Sequence, residues 1–470
     1  MAEKTVVLYP SLGVGHLNPM AQLAKALLRR GGVAVTIAVV DPPEKDAVLA
    51  AALARLAAAS PSITVRLLPI PRRSGKQQHS HPIMPILEAL RAANPALREL
   101  LGSLVPAADA LVVDMFCIDA LDVAAELAVP AYIFYPSAAG DLAVYLQVPD
   151  LYRAAASSFK DMGKKALNFA GVPPVRALDM PDTMLDRDSD VCRARMEQLA
   201  RMPEATGILV NSFEWLEARA LEAIRDGQCL PNRSAPAVYC VGPLVDAGKT
   251  EANGERHACL EWLDGQPKRS VVFLCFGSMG AFSAAQLKET ARGLESSGQR
   301  FLWVVRSPRE EQSMSTEPDL ESLLPDGFLE RTKDRGLVLR NWAPQTSILR
   351  HEAVGAFVTH CGWNSALEAI MSGVPMICWP LYAEQRLNKV HMVEEMKVGV
   401  VVDGYDEELV KADEVEAKVR LVMESDEGKK LRDRMANAKE MAAHAIKEGG
   451  SSDVAFGEFL SDLGKDERIE

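Results

Sequence analysis

WAPQTSILRHEAVGAFVTHCGWNSALEAIMSGVPMICWPLYAEQ, residues 342–385, reads as loop, strand, tight turn, helix, strand and polar loop, with the unusual residues at the joins. Residues 355–359 form a short apolar run of strand character. His360, Cys361 and Gly362 turn the chain, and Trp363, Asn364 and Ser365 open a helix expected to reach Ser372. A helix start exposes backbone N–H groups with no intrahelical partner and carries partial positive charge. Gly362 permits close backbone approach, which makes a seat for an anion such as a diphosphate. His360 adds a donor there, Trp342 a flat face for a base, and Glu368 an acceptor for ribose hydroxyls. Glu384 and Gln385, after the strand expected at 375–380, are placed to grip sugar hydroxyls, with Trp363 closing that side. Base, ribose, phosphate and sugar each have a candidate partner, so the segment reads as a nucleotide-sugar site.

Working outward, strand-like runs alternate with helical patterns along the whole chain, which argues for an α/β protein with parallel sheets. The first half offers runs at 5–10, 33–40, 63–69, 110–116, 131–135 and 207–212. The second offers 270–276, 301–306, 337–342, 356–359, 376–379 and 399–402. The two halves open alike: VVLYPSLGVGHLNPMAQLAKAL (6–27) and VVFLCFGSMGAFSAAQLKETARGL (271–294) are each strand, small-residue loop and helix. Between them DAGKTEANGE, residues 246–255, is polar and poor in apolar residues, the best linker. This predicts domains at 1–245 and 256–450, with a last helix in 451–470 that begins on a Ser451-Ser452-Asp453 cap. Residues 308–324 are acidic and read as a solvated loop; residues 72–81 (RRSGKQQHSH) are a polar, basic counterpart.

Composition excludes several classes. A net charge of −12 leaves nothing to neutralise a run of phosphates, so nucleic acid is not an expected partner. The longest apolar stretch, 111–136, is broken by Asp114, Asp119, Asp122 and Glu126, so no membrane span is expected, and MAEKTVVLYP runs straight into a strand without a leader. The cysteines at 117, 192, 229, 240, 259, 275, 361 and 378 show neither CxxC nor regular spacing and read as reduced, buried thiols of a cytoplasmic protein.

Gly13-Val14-Gly15-His16 follows the first strand and leads into a helix through Asn18 and Pro19. A dinucleotide fingerprint would need glycine where Asn18 stands, which disfavours a nicotinamide-dependent oxidoreductase. What remains is a histidine at a strand's C-terminal end, where α/β sheets place ligands. Asp114 ends the run ALVVD, and a carboxylate closing so apolar a strand needs a reason. Bonded to one imidazole nitrogen, it would fix the tautomer and leave the other nitrogen as a base. Asp119 is the rival; with Asp122 it reads as the first turns of a helix, serving as cap or dipole partner. Asp186-Arg187-Asp188 has no strand before it and reads as an acidic loop rather than a metal motif.

The 44 residues 342–385 resemble the signature box of plant secondary-product glycosyltransferases that use UDP-sugars, and the likeness extends, more weakly, over nearly the whole chain. That resemblance implies a GT-B fold, two Rossmann-like doubly wound domains facing across a cleft, with a last helix crossing back to the first domain. It implies that His16 and Asp114 form the catalytic dyad and that 72–81 borders the acceptor pocket. It assigns UDP-sugar binding to Gly15, Ser278, Trp342, Ala343, Gln345, His360, Gly362, Trp363, Asn364, Ser365, Glu368, Glu384 and Gln385. Members often carry a hydroxyl residue after the fifth strand to touch the sugar; here Ser137 is followed by Ala138, so Ser137 takes that place. A final Gln in the box goes with glucose. VDMFCIDALDVA and VPAYIFYP look most like members acting on flavonoids and other small phenolics. The expected enzyme is therefore a monomeric, inverting UDP-glucose-dependent O-glucosyltransferase that needs neither cofactor nor metal. Within the same fold, another UDP-sugar or another small hydroxylated or carboxylated acceptor is the alternative. A non-catalytic UDP-sugar-binding protein would have no use for His16 and Asp114.

Overall fold

The computed structural model describes residues 3–41, 47–71, 81–245, 256–308 and 317–463. The expected linker 246–255, residues 72–80 of the basic segment and 309–316 of the acidic one lie outside the described residues. The chain divides into two compact units, Met1–Val245 with His444–Glu470, and Asp246–Ala443.

Unit 1 is built on a seven-stranded parallel sheet. Its strands are β1 (Lys4–Tyr9), β2 (Val33–Asp41), β3 (Ile63–Pro69), β4 (Ala110–Asp114), β5 (Ala131–Tyr135), then, after a two-stranded antiparallel pair β6 (Ala166–Leu167) and β7 (Val175–Arg176), β8 (Gly207–Val210) and β9 (Ala237–Cys240). The order is β3-β2-β1-β4-β5-β8-β9. β1, β4 and β5 are buried on both faces and read as unbroken apolar runs for that reason. Edge strand β3 keeps several positions exposed. Unit 2 carries β10 (Val271–Cys275), β11 (Arg300–Val305), β12 (Gly336–Arg340), β13 (Val354–Thr359), β14 (Met376–Cys378) and β15 (Gly399–Val401), all parallel in the order β12-β11-β10-β13-β14-β15. Each sheet reverses direction of strand addition once, between β1 and β4 and between β10 and β13. In open α/β sheets, ligands sit beyond the carboxyl ends of the strands at such a switch point.

The differences from expectation are local and have causes. The strand expected at 110–116 stops at Asp114, whose carboxylate accepts the Phe116 N–H while its carbonyl accepts from Cys117. The strand expected at 337–342 stops at Arg340, and Asn341 turns the chain with φ 61°. The first helix, Val14–Arg30, starts before Gly15 rather than after Asn18, so His16 lies in its first turn and Pro19 inside it. Strand β9 was not expected, because its AVYC run is short and partly exposed. The acidic stretch is not wholly a solvated loop: Leu320 and Leu323 on one helical turn, with Leu324, are buried in the unit 2 core. The last helix, Ser451–Asp462, has no serine cap. Gly450 precedes it, Asp453 accepts from the Gly449 N–H, and Ser452 Oγ donates to the Gly242 carbonyl. That helix sets Phe456 and Phe459 into the unit 1 core, with Phe459 edge-on to Tyr132 at 5.0 Å. All eight cysteines are free and buried. Among the described residues no helix is long and apolar enough to cross a membrane.

Candidate active site

In unit 1, β1 and β4 are hydrogen-bonded neighbours, with Tyr9 opposite Val113. Their carboxyl ends therefore bring together residues 98 apart in sequence: His16 Nδ1 lies 2.9 Å from Asp114 Oδ2. Asp114 is 1% exposed, and its other oxygen accepts from the Phe116 N–H at 3.0 Å. An ionised carboxylate only accepts, so Nδ1 carries the proton in this bond and the basic lone pair of the neutral ring is on Nε2. The His16 side chain is 29% exposed, and the Phe116 ring stands edge-on to it at 5.3 Å. Gly13 takes φ 93°, and a Cβ on Gly13 or Gly15 would meet nothing within 4 Å, so the backbone at this helix start is open.

The rival carboxylates are engaged elsewhere. Asp119 accepts from Arg91 at 2.6 Å and lies 3.8 Å from Arg201; Asp122 pairs with Arg201 at 2.6 Å. Both stand in first turns as expected, but their partners are arginines, and no side chain caps either turn. Ser137 is buried and donates to the buried carboxylate of Asp141 at 2.8 Å. In the acidic stretch Lys160 holds Asp186 below the usual carboxylate range, and Ser189 caps the helix Asp190–Arg201.

In unit 2 the turns after β10 and β13 meet at the switch point between those strands. Gly277 and Ser278 follow β10, with Ser278 exposed in the turn, and His360 follows β13. His360 is 7% exposed and burial pushes its pKa down to about 4, so it is neutral at neutral pH; its Nδ1 has no hydrogen-bond partner among the described residues. A Cβ on Gly277 would lie 2.5 Å from His360 Nε2, and one on Gly362 2.6 Å from the same atom. Gly362 is thus required by the imidazole beside it, a role the sequence reading assigned to ligand approach. Cys361 is buried with φ 68°, a conformation rare for a side-chain-bearing residue. The turn is held by Thr359 Oγ1, which accepts the Cys361 N–H at 3.3 Å, and by Asn388 Nδ2, which donates to the Cys361 carbonyl at 3.1 Å. The helix Trp363–Ser372 then begins without a side-chain cap or a first-turn acid. Among the described residues the N–H groups of Asn364 and Ser365 have no partner, so they are open to an anion.

Gln345 ties the helix start to the ribose candidate, donating to Ser365 Oγ at 2.9 Å and to Glu368 at 2.7 Å. Trp342 is 57% exposed, edge-on to His257 at 5.9 Å, and Ala343 next to it is buried. A large exposed aromatic at a strand's end is a ready stacking face. Gln385 is turned inward: 3% exposed, its Oε1 accepts from the Leu381 and Tyr382 N–H groups at 3.0 Å each, so Nε2 is what it has to offer a sugar. Glu384 beside it is half-buried, as is Arg386, whose guanidinium lies over the Tyr405 ring at 5.8 Å. Trp363 is buried. Asn388 escaped the sequence reading; it lies three residues past the box, and its burial and its bond to the Cys361 carbonyl mark it.

Comparison with known proteins identifies the family. Residues 235–435 match the family described as UDP-glucoronosyl and UDP-glucosyl transferase. The chain is 44% identical to an anthocyanidin 5,3-O-glucosyltransferase of a Rosa hybrid cultivar, over 96% of this chain and 97% of that one. It is 41% identical to a phloretin 2'-O-glucosyltransferase of Pyrus communis, over 97% and 99%. Among solved structures, UGT2 of Phytolacca americana complexed with UDP-2fluoro-glucose and pterostilbene superposes with a TM-score of 0.89 at 34% identity, covering 98% of this chain and all of that one. A UDP-glucosyltransferase of Polygonum tinctorium capable of glucosylating indoxyl gives 0.89 at 37% identity, covering 98% of each. The chain belongs to the UDP-glucoronosyl and UDP-glucosyl transferase family and is, within it, a plant-type UDP-glycosyltransferase of the GT-B fold class.

Proposed function

We propose that this enzyme transfers glucose from UDP-glucose to a hydroxyl of a small phenolic acceptor such as a flavonoid, with inversion. The observation that carries the mechanism is the 2.9 Å bond between His16 Nδ1 and the buried Asp114. Held in that tautomer, His16 Nε2 takes the acceptor proton as the oxygen attacks the anomeric carbon, and Asp114 stabilises the imidazolium that forms. UDP leaves with its negative charge toward the amides of Asn364 and Ser365, with neutral His360 as a further donor and Ser278 in the turn after β10. Fixed dipoles of this kind stabilise developing charge without a metal ion. Trp342 stacks on uracil, and the Gln345–Glu368 pair takes the ribose.

The acceptor class follows from proton-transfer chemistry. A phenol near pKa 10 against an imidazole near 6.5 leaves a gap worth roughly 5 kcal/mol; an alkyl hydroxyl leaves roughly 12 kcal/mol. The relatives named for anthocyanidin and phloretin act on phenols. For the donor, Gln385 Nε2 and Glu384 suit neutral hydroxyls, and Arg386, next in sequence, lies over the Tyr405 ring. Initial rates with UDP-glucose, UDP-galactose, UDP-xylose and UDP-glucuronate against a set of plant phenolics, read by mass spectrometry, test this; preference for any donor but UDP-glucose overturns the donor assignment. His16→Ala should lower turnover about 10²- to 10⁴-fold and leave UDP affinity unchanged, and Asp114→Asn should cost no more than that. A larger loss at Asp119→Asn than at Asp114→Asn would refute the dyad.

A further inference from the structure

Arg195, on the helix Asp190–Arg201, is 1% exposed, and among the described residues no carboxylate lies within ion-pair distance of it. Arginine keeps its charge even when buried, so a cation sits inside unit 1 with no role in the mechanism above. Its surroundings explain it. The guanidinium lies over the Phe116 ring, 4.3 Å from the centroid, and donates to Gln198 Oε1 at 2.6 Å. Gln198 Nε2 in turn donates to the Phe116 carbonyl at 3.1 Å. Phe116 is therefore gripped by ring and by backbone from one helix. It is also the residue whose N–H holds Asp114 Oδ1 at 3.0 Å and whose ring edge abuts His16. Burial lowers the Arg195 pKa, and the groups opposing that shift are Tyr145, Tyr135 and Asp114, which places the dyad's own carboxylate in its field.

We propose that Arg195 is a positioning residue for the His16–Asp114 pair, acting through Phe116 with Gln198 as its second hold. This rests on the reading of His16 as the base. A cation over an aromatic face in a desolvated site is a strong, directional contact. The residue it fixes touches both members of the dyad, so loosening Phe116 misaligns the base while leaving the nucleotide side, in unit 2, untouched.

Arg195→Met, Gln198→Met and Phe116→Leu test it in the full-length enzyme. Each should lower kcat about ten- to a hundredfold, the range a misplacement of about 1 Å in a catalytic group costs. The KM for UDP-glucose and the Kd for UDP should stay within about twofold of the parent values. The loss should shrink for an acidic acceptor such as a nitrophenol, which depends less on a well-aligned base, and the variant Arg195→Met/Phe116→Leu should be no more than about twofold worse than Phe116→Leu alone, because both changes cut one chain of contacts. The proposal is overturned if Arg195→Met keeps kcat within about twofold, if the loss is equal for acidic and weakly acidic phenols, or if the two changes multiply. Should Arg195→Met lack a cooperative melt, Gln198→Met and Phe116→Leu decide by the same readouts. His16→Ala runs alongside: full turnover in that variant sinks the base assignment itself, whereas an inactive His16→Ala beside an unimpaired Arg195→Met sinks only the positioning role.

Discussion

Gly277→Ala and Gly362→Ala probe the proposed nucleotide seat through the imidazole between them. Either Cβ would stand 2.5 or 2.6 Å from His360 Nε2, about 1 Å inside ordinary carbon–nitrogen contact. His360 is 7% exposed, so its ring has little room to retreat. Overpacking of this kind costs about 1–3 kcal/mol. Gly362 has φ −64°, which alanine tolerates, so overlap is its whole cost. Gly277 has φ 74°, and a left-handed alanine adds about 1–2 kcal/mol. With about 2–4 °C per kcal/mol for a domain of this size, Gly362→Ala should lower Tm by ~6 °C and Gly277→Ala by ~10 °C, both without ligand. Thermal melts of the two variants, repeated in a His360→Ala background, separate the causes. Without the imidazole, Gly362→Ala should become nearly neutral while Gly277→Ala keeps its backbone share. If Gly362→Ala costs the same with and without the imidazole, or costs nothing in the parent, the argument that His360 dictates that glycine is wrong.

Three further outcomes are expected. His360 is held near pKa 4 in the fold against an ordinary 6.5, so the unfolded chain takes up its proton first; stability falls as pH drops from about 6.5 to 4 by about 3 kcal/mol, and denaturant melts of His360→Asn over that range should show a shallower fall. Trp342→Ala should weaken UDP and UDP-glucose alike by about 1–3 kcal/mol, measured by calorimetry; a loss confined to the sugar nucleotide would contradict stacking on the base. Gln385→Glu keeps an oxygen for the Leu381 and Tyr382 amides but removes the Nε2 donor, so UDP-glucose transfer should fall by about 0.5–1.5 kcal/mol with UDP affinity unchanged, whereas Gln385→Ala also frees the 381–382 loop and should disturb both ligands.

The sequence by itself determined most of the elements and marked the residue types at their ends. β5 and the helix Trp363–Ser372 fall where the pattern put them, because a buried parallel strand is a continuous apolar run and a helix start is written in a few adjacent residues. His16 and the box were legible for the same reason: their residue types sit at the ends of recognisable strands. What only the tertiary structure decided is which distant groups meet. Strand order, set by how the sheets pack, makes β1 and β4 neighbours and so joins His16 to Asp114. Gln198 reaches Phe116 across 82 residues of chain, and Arg91 and Arg201 engage Asp119. The inward turn of Gln385 and the need for glycine at 362 likewise depend on partners fixed by packing. A buried polar group must find its partner wherever the fold supplies one, and sequence shows the group's type but not the neighbour that satisfies it.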